Sequence, residues 1–197
     1  MSSSELIHQT IAEHTVTVAK FEEVCSDVID KMGEEVVECL RQGGKICFFG
    51  NGGSAADAQH FATEFVVRFV ENRKGLPSIA LTTDTSIITA CANDFGYEAI
   101  YARQIEALCD KKDIAVGIST SGSSGNVIRG LEFAKSLGMK TFAFTGQSGG
   151  KCSDIADCLL AVPSDITARV QECHLIAGHL ICDIAEKAFA DRPPQSV

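Results

Sequence analysis

Apolar positions recur at helical spacing through residues 4–42, at Ile7, Ile11, Val18, Phe21 and Val24 and then at Val28, Met32, Val36 and Leu40. This periodicity predicts one long helix or two shorter ones, stopped by Gly43-Gly44. Beyond the glycines the pattern changes. Short apolar runs without two-residue alternation predict strands at 45–50, 79–82, 113–118, 140–145 and 158–162. Between them, helical patterns fall at 54–69, 86–92, 97–108 and 124–137, with a short one at 150–156 and a last one at 165–190. Unalternating strands separated by helices build a parallel sheet covered on both faces. The expected fold class is therefore α/β: a three-layer sandwich on a parallel sheet of about five strands, with an N-terminal helical extension.

With 197 residues, 45% of them apolar, and no low-complexity stretch, the chain is expected to form one domain over 1–197, made of N-terminal helices at 1–42 and an α/β core at 43–197. A formal charge of −9 without a Lys/Arg cluster argues against a nucleic-acid or acidic-membrane partner. An anionic ligand must then be held locally. No run approaches the ~18 apolar residues of a membrane span, and the first residues lack a basic region followed by an apolar one, so a cytoplasmic protein is expected. The nine cysteines are scattered and never closer than six residues, which fits free buried thiols in a reducing compartment better than a disulfide framework.

The chemistry concentrates in two loops. Residues 119–126 read Ser-Thr-Ser-Gly-Ser-Ser-Gly-Asn between a predicted strand and a predicted helix. Backbone N–H groups, hydroxyls and the positive end of a helix dipole meet there, which is a cradle for one small anion. It contains no lysine, so it is not the loop that holds a nucleoside triphosphate, and a phosphomonoester suits it better. The earlier loop, Gly50-Asn51-Gly52-Gly53-Ser54-Ala55, also matches the weak G-x-G-x-x-A dinucleotide pattern. The acidic residue such a site needs should end the second strand, whereas Glu71-Asn72-Arg73 precedes that strand. Both loops follow strands, at the edge of an open sheet where ligands bind.

After the first loop, Asp57, His60, Glu64 and Arg68 share one helix face opposite Ala58, Phe61, Ala62, Phe65 and Phe69. They could be a solvated face with a Glu64/Arg68 pair. Equally, an imidazole and a carboxylate one turn apart, within ~9–15 Å of the loop along the axis, suit a metal pair or proton transfer. The last helix offers Arg169, Gln171, His174 and His179 among apolar residues, where His179 could instead be a hydrogen-bonded core histidine and His174 has no assigned role. Asn93-Asp94 is a turn or helix end, or an amide and carboxylate presented to sugar hydroxyls.

Taken together, Asn51-Gly52-Gly53-Ser54, the segment 57–64 (Asp-Ala-Gln-His-Phe-Ala-Thr-Glu), Asn93-Asp94-Phe95-Gly96, Gly117-Ile118-Ser119-Thr120-Ser121-Gly122 and the segment 168–179 resemble the phosphoheptose isomerases, a family of sugar-isomerase (SIS) domain proteins. The motifs come in the family's order over nearly the whole chain, departing at Ser123 and Gly125. The resemblance implies an aldose–ketose isomerase acting on sedoheptulose 7-phosphate, toward the heptose of lipopolysaccharide core. It assigns catalysis to Glu64 and His179. Substrate contacts go to Asn51, Gly52, Gly53, Ser54, Glu64, Asn93, Asp94, Ser119, Thr120, Ser121, Ser124 and Gln171. One zinc ion per subunit is implied at His60, Glu64, Gln171 and His179. Non-catalytic SIS relatives, such as a regulator of the bacterial replication initiator, lack the matching acid and histidine, which are present here. A homo-oligomer, a tetramer with shared active sites, is also expected. On one straight helix Gln171 and His179 are ~12 Å apart along the axis and turned by about 80°, so neighbouring subunits would each supply one group.

Overall fold

The structure, a computed structural model, describes residues 1–190. Strand β1 (Ile46–Gly50) is buried along its whole length, as a central strand with helices on both faces must be. Successive side chains leave it on opposite sides: Ile46 and Phe48 join one core and Phe49 the other. β2 (Ser78–Ala80), β3 (Ile114–Ile118), β4 (Lys140–Thr145) and β5 (Cys158–Ala161) complete a five-stranded sheet of order β2-β1-β3-β4-β5. Every pairing is parallel, and Gly50 is in register with Ile118. The expected α/β sandwich is thus present.

One face is covered by α1 (Ser3–Arg41), α2 (Gly53–Val66) and α6 (Thr167–Ala188), the other by α3 (Thr85–Phe95), α4 (Ile100–Leu108) and α5 (Gly125–Ser136). The segment expected as a helix at 150–156 is a 3-10 turn, Gly150–Asp154, and another such turn, Tyr97–Ala99, leads into α4. The N-terminal extension is a single helix. Ser2 and Glu5 close its start with a capping box, and Gly43 follows its end at φ +76°. At ~58 Å it outruns the sheet. Its second half packs through Phe21, Cys25, Ile29, Met32, Val36 and Leu40, whereas Leu6, Ile7, Ile11 and Val16 in its first half are exposed.

α2 ends at Val66, three residues short of the expected end. Arg73 donates to the carbonyls of Phe65 and Glu64, both at 2.8 Å, closing the helix from outside. Its Nε also pairs with buried Glu186 at 3.0 Å. The Glu186 carboxylate accepts the N–H groups of Phe69, Val70 and Glu71. Burial opposes its charge, yet those backbone donors and Arg73 prevail and hold its pKa below the usual glutamate value. The Glu71–Arg73 segment is therefore a helix terminator anchored on α6.

Candidate active site

β1 is flanked by β2 on one side and β3 on the other, so the chain turns opposite ways from this pair of central strands. That switch point opens a crevice at the carboxyl ends of the strands. The loops after β1 and β3 both border it, and each runs into a helix N-terminus, α2 or α5. Two positive dipole ends therefore face one crevice in a chain of net charge −9.

The two loops are tied together. Asn51 and Asn126 exchange amide hydrogen bonds, each donating Nδ2 to the other's Oδ1 at 2.8 Å. Tyr97 adds its hydroxyl to Asn51 Oδ1 at 3.1 Å, and Tyr101 donates to the Gly50 carbonyl. In the second loop Ser119 Oγ lies 3.0 Å from Ser124 Oγ and 3.4 Å from Ser121 Oγ, while the Thr120 carbonyl accepts Gly146 N–H at 2.9 Å. Gly122, at φ +62°, packs so closely that a Cβ would stand 2.0 Å from the Gly149 carbonyl oxygen. The hydroxyls of Ser119, Ser121 and Ser124 are thereby held as a cluster by fixed backbone. Ser124 sits at the N-cap of α5 without bonding the helix itself, its hydroxyl turned to Ser119 instead.

In the first loop Gly52 takes φ +56° to enter α2, and Ser54 is buried beneath Gly50. Gly53 lies against the Gln171 side chain, whose Nε2 would be 2.3 Å from a Cβ at that position. From this point α2 and α6 run side by side in the same direction: Gly53 meets Gln171, Phe61 meets Gly178, and the segment after α2 meets Glu186. A Cβ on Gly178 would stand 2.1 Å from the Phe61 ring, so glycine sets how closely the helices approach.

That approach brings His60 Nε2 to 2.8 Å from His179 Nε2. Glu64 Oε1 lies 3.7 Å from His60 Nε2. His60 is 43% exposed and Glu64 17%, so the group is open on the His60 side. Burial first, then the neighbouring His60, push the His179 pKa below its ordinary value, with Glu64 opposing. Two of the four expected metal ligands, His60 and His179, thus meet within one chain, and Glu64 lies beside His60. Gln171 does not join them, because it lies at the other end of α2, seven residues or ~10 Å of helix away. Asn93 and Asp94 are exposed in the last turn of α3 and bonded to each other at 2.8 Å. Two residues further on, Gly96 leads to Tyr97, whose hydroxyl bonds Asn51.

His174 lies in the core, not the crevice. Its Nε2–H donates to the Thr145 carbonyl at 3.1 Å and its buried Nδ1 has no partner. Arg169 pairs with Glu172 and reaches the Thr10 carbonyl, fastening α1 to α6. At the opposite edge of the sheet Cys47, Cys109 and Asp113 bring two sulfurs and a carboxylate oxygen within 4.8 Å of one another, close enough to meet one ion.

A family model described as the SIS domain matches residues 10–146. The chain is 50% identical over 190 residues to phosphoheptose isomerase of Paramagnetospirillum magneticum, covering 96% of this chain and 99% of that one. It is 51% identical over 177 residues to phosphoheptose isomerase of Aquifex aeolicus, covering 90% and 92%. The structure of phosphoheptose isomerase GmhA from Neisseria gonorrhoeae superposes with a TM-score of 0.90 at 39% identity, over 94% of this chain and 100% of that one. The chain belongs to the phosphoheptose isomerase family of SIS-domain proteins.

In this member of the phosphoheptose isomerase family, sequence reasoning gave no role to two residues that the structure singles out. Asn126 ends the serine-rich run and looked like part of a helix start; only its pairing with Asn51 across the sheet gives it a role. Asp57 looked like a surface carboxylate. It is half-buried with Oδ2 unpartnered, and burial raises its pKa, with His60 opposing.

Proposed function

We propose that this chain interconverts sedoheptulose 7-phosphate and D-glycero-D-manno-heptose 7-phosphate, feeding the heptose of lipopolysaccharide core, as a single SIS domain over 1–197 in the cytoplasm. The observation that supports the reading most is the meeting of His60 with His179, with Glu64 beside His60, on the two helices that run side by side from the loop crevice. A phosphate held by Ser119, Thr120, Ser121 and Ser124 at the α5 N-terminus would extend its sugar toward α2. Asn51, Gly52, Gly53, Ser54, Gln171, Asn93 and Asp94 would then line the sugar's path.

Isomerisation requires a base that lifts the proton from the carbon beside the carbonyl and a group that stabilises the resulting enediolate. Glu64 takes the base role: its side chain is largely shielded from water and lies beside His60. His179 passes a proton between the two substrate oxygens, and His60 Nε2 fixes the orientation of its ring. Two imidazole nitrogens, one of them with a carboxylate oxygen 3.7 Å away, are of the donor types that zinc accepts. When bound, zinc would act as a Lewis acid on the substrate oxygens.

Gln171 completes that set only from another subunit, because within one chain it lies against Gly53. We therefore favour a homotetramer with shared sites. The exposed apolar residues of the first half of α1, and an apolar groove between α1 and α6 bordered by Val18, Phe21, Ile29, Ile176, Leu180 and Ile184, supply surface for a second copy. The test is a coupled assay with sedoheptulose 7-phosphate on wild-type and Glu64→Gln protein. Turnover should fall at least ~100-fold in the variant with folding retained, as for loss of a general base. A wild type inactive on this substrate, or a Glu64→Gln enzyme near full activity, refutes the reading.

A further inference from the structure

The sulfurs of Cys47 and Cys109 lie 3.3 Å apart, at the edge of the sheet away from the crevice. We propose that these two thiols form a reversible redox pair, in which Cys109 is oxidised by a hydroperoxide and Cys47 resolves it into an intramolecular disulfide.

The two cysteines are built differently. Cys47 is fully buried in β1, paired on either side with Ile79 of β2 and Ala115 of β3, and is fixed by the sheet. Cys109 is the C-cap of α4, in extended backbone, and alone among the nine cysteines it is not buried. An oxidant reaches Cys109 first. Closing 3.3 Å to a disulfide bond of ~2.05 Å asks for a movement of about 1.2 Å, which falls on a helix end and not on the sheet. The Cys47 hydrogen bond lowers the Cys109 pKa while raising that of Cys47, and the Lys45 charge acts on Cys109 in the same direction. This agrees with the order of reactivity that exposure already sets.

The steps balance. The Cys109 thiolate attacks one peroxide oxygen, so that an S–O bond forms, the O–O bond breaks, and the leaving hydroxide or alkoxide takes up the proton that the Cys109 thiol released on ionising. The Cys47 sulfur then attacks the Cys109 sulfenic acid; the S–S bond forms, the S–O bond breaks, and the Cys47 proton departs with the hydroxyl as water. A thiol reductant reverses the link.

A metal ion is the competing occupant, and the carboxylate argues against it. Asp113 already accepts Lys45 N–H on Oδ1 at 2.9 Å, and Lys45 Nζ at 2.5 Å and Asp110 N–H at 2.9 Å on Oδ2. Its oxygens are engaged by the ammonium and the turn, which leaves two sulfurs, fewer donors than a structural zinc site uses.

The experiment is peptide mass mapping of the reduced full-length chain before and after hydrogen peroxide, without reductant in the digest. A peptide linking Cys47 to Cys109 should accumulate and disappear on adding dithiothreitol. In Cys47→Ala the link should be lost and a sulfenic acid on Cys109 trapped by a 1,3-diketone reagent; Cys109→Ser should leave Cys47 unmodified. The proposal is overturned if neither thiol reacts in the folded wild type, or if Cys109 links to a different cysteine. It is equally overturned if the wild type binds cobalt(II) with a thiolate charge-transfer band that both variants lose. The wild-type map decides the matter even if a variant folds poorly.

Discussion

The Nε2 atoms of His60 and His179, on parallel helices, face each other at 2.8 Å. Between neutral rings that distance is bridged by one hydrogen, donated by one ring to the other. Zinc, if bound, would be held by the same two nitrogens. On the proposed reading, purified protein carries about one zinc per chain, chelation removes activity, and added zinc restores it. His60→Ala should lower zinc affinity at least ~10-fold, as losing a ligand or its orienting partner does. Full activity in protein shown by metal analysis to be zinc-free removes the ion from the mechanism.

The serine cluster is expected to act on binding more than on turnover. Ser121→Ala combined with Ser124→Ala removes two of the three clustered hydroxyls but none of the backbone that shapes the loop. The KM for the sugar phosphate should rise ~10-fold or more, with kcat changed much less, the pattern of lost ground-state binding. Unchanged affinity for inorganic phosphate by calorimetry would show the loop to be structural.

Shared sites make a distinctive prediction for mixtures. Gln171→Ala and His179→Ala chains, each inactive alone, should regain part of the activity when unfolded together and reassembled, because some sites then receive both groups intact. A monomer with full activity in sedimentation refutes sharing outright.

His174 should make stability depend on pH in a defined window. Burial lowers its pKa to about 4, against a weaker upward effect from Thr145. Between the unfolded value of ~6.5 and about 4, the unfolded chain therefore binds a proton that the folded chain refuses. Stability then falls as pH drops through this window and is independent of this group above it. The linked loss is on the order of 3 kcal/mol. Denaturant unfolding at several pH values should show a shallower acid slope in His174→Gln than in the wild type, and equal slopes would contradict it.

The order of elements was legible because each carries its own local signal. The unalternating runs around Phe48, Val116 and Phe142 mark strands buried on both faces, and Gly43 and Gly52 sit where only a positive φ continues the chain. Where the expected end of α2 at residue 69 differed from the observed end at Val66, the deciding group was Arg73, held by Glu186 from another helix. Helical periodicity in a window cannot contain that information. Phe69 is apolar at the right spacing, but its N–H is satisfied by a carboxylate more than a hundred positions away in the chain.

The sequence by itself determined the strands and helices, the two loops at strand ends, and the residue types able to bind phosphate and move protons, because these follow from period, turn chemistry and side-chain donors. Only the tertiary structure decided which of those residues meet. The pairing of Asn51 with Asn126 depends on β1 and β3 being neighbours, and the meeting of His60 with His179 depends on α2 and α6 running in parallel, spaced by Gly178 against Phe61. Gln171, on the same helix as His179, is set apart for the same reason: a rigid helix separates residues eight positions apart along its axis, and one neighbouring helix cannot bring both to one point.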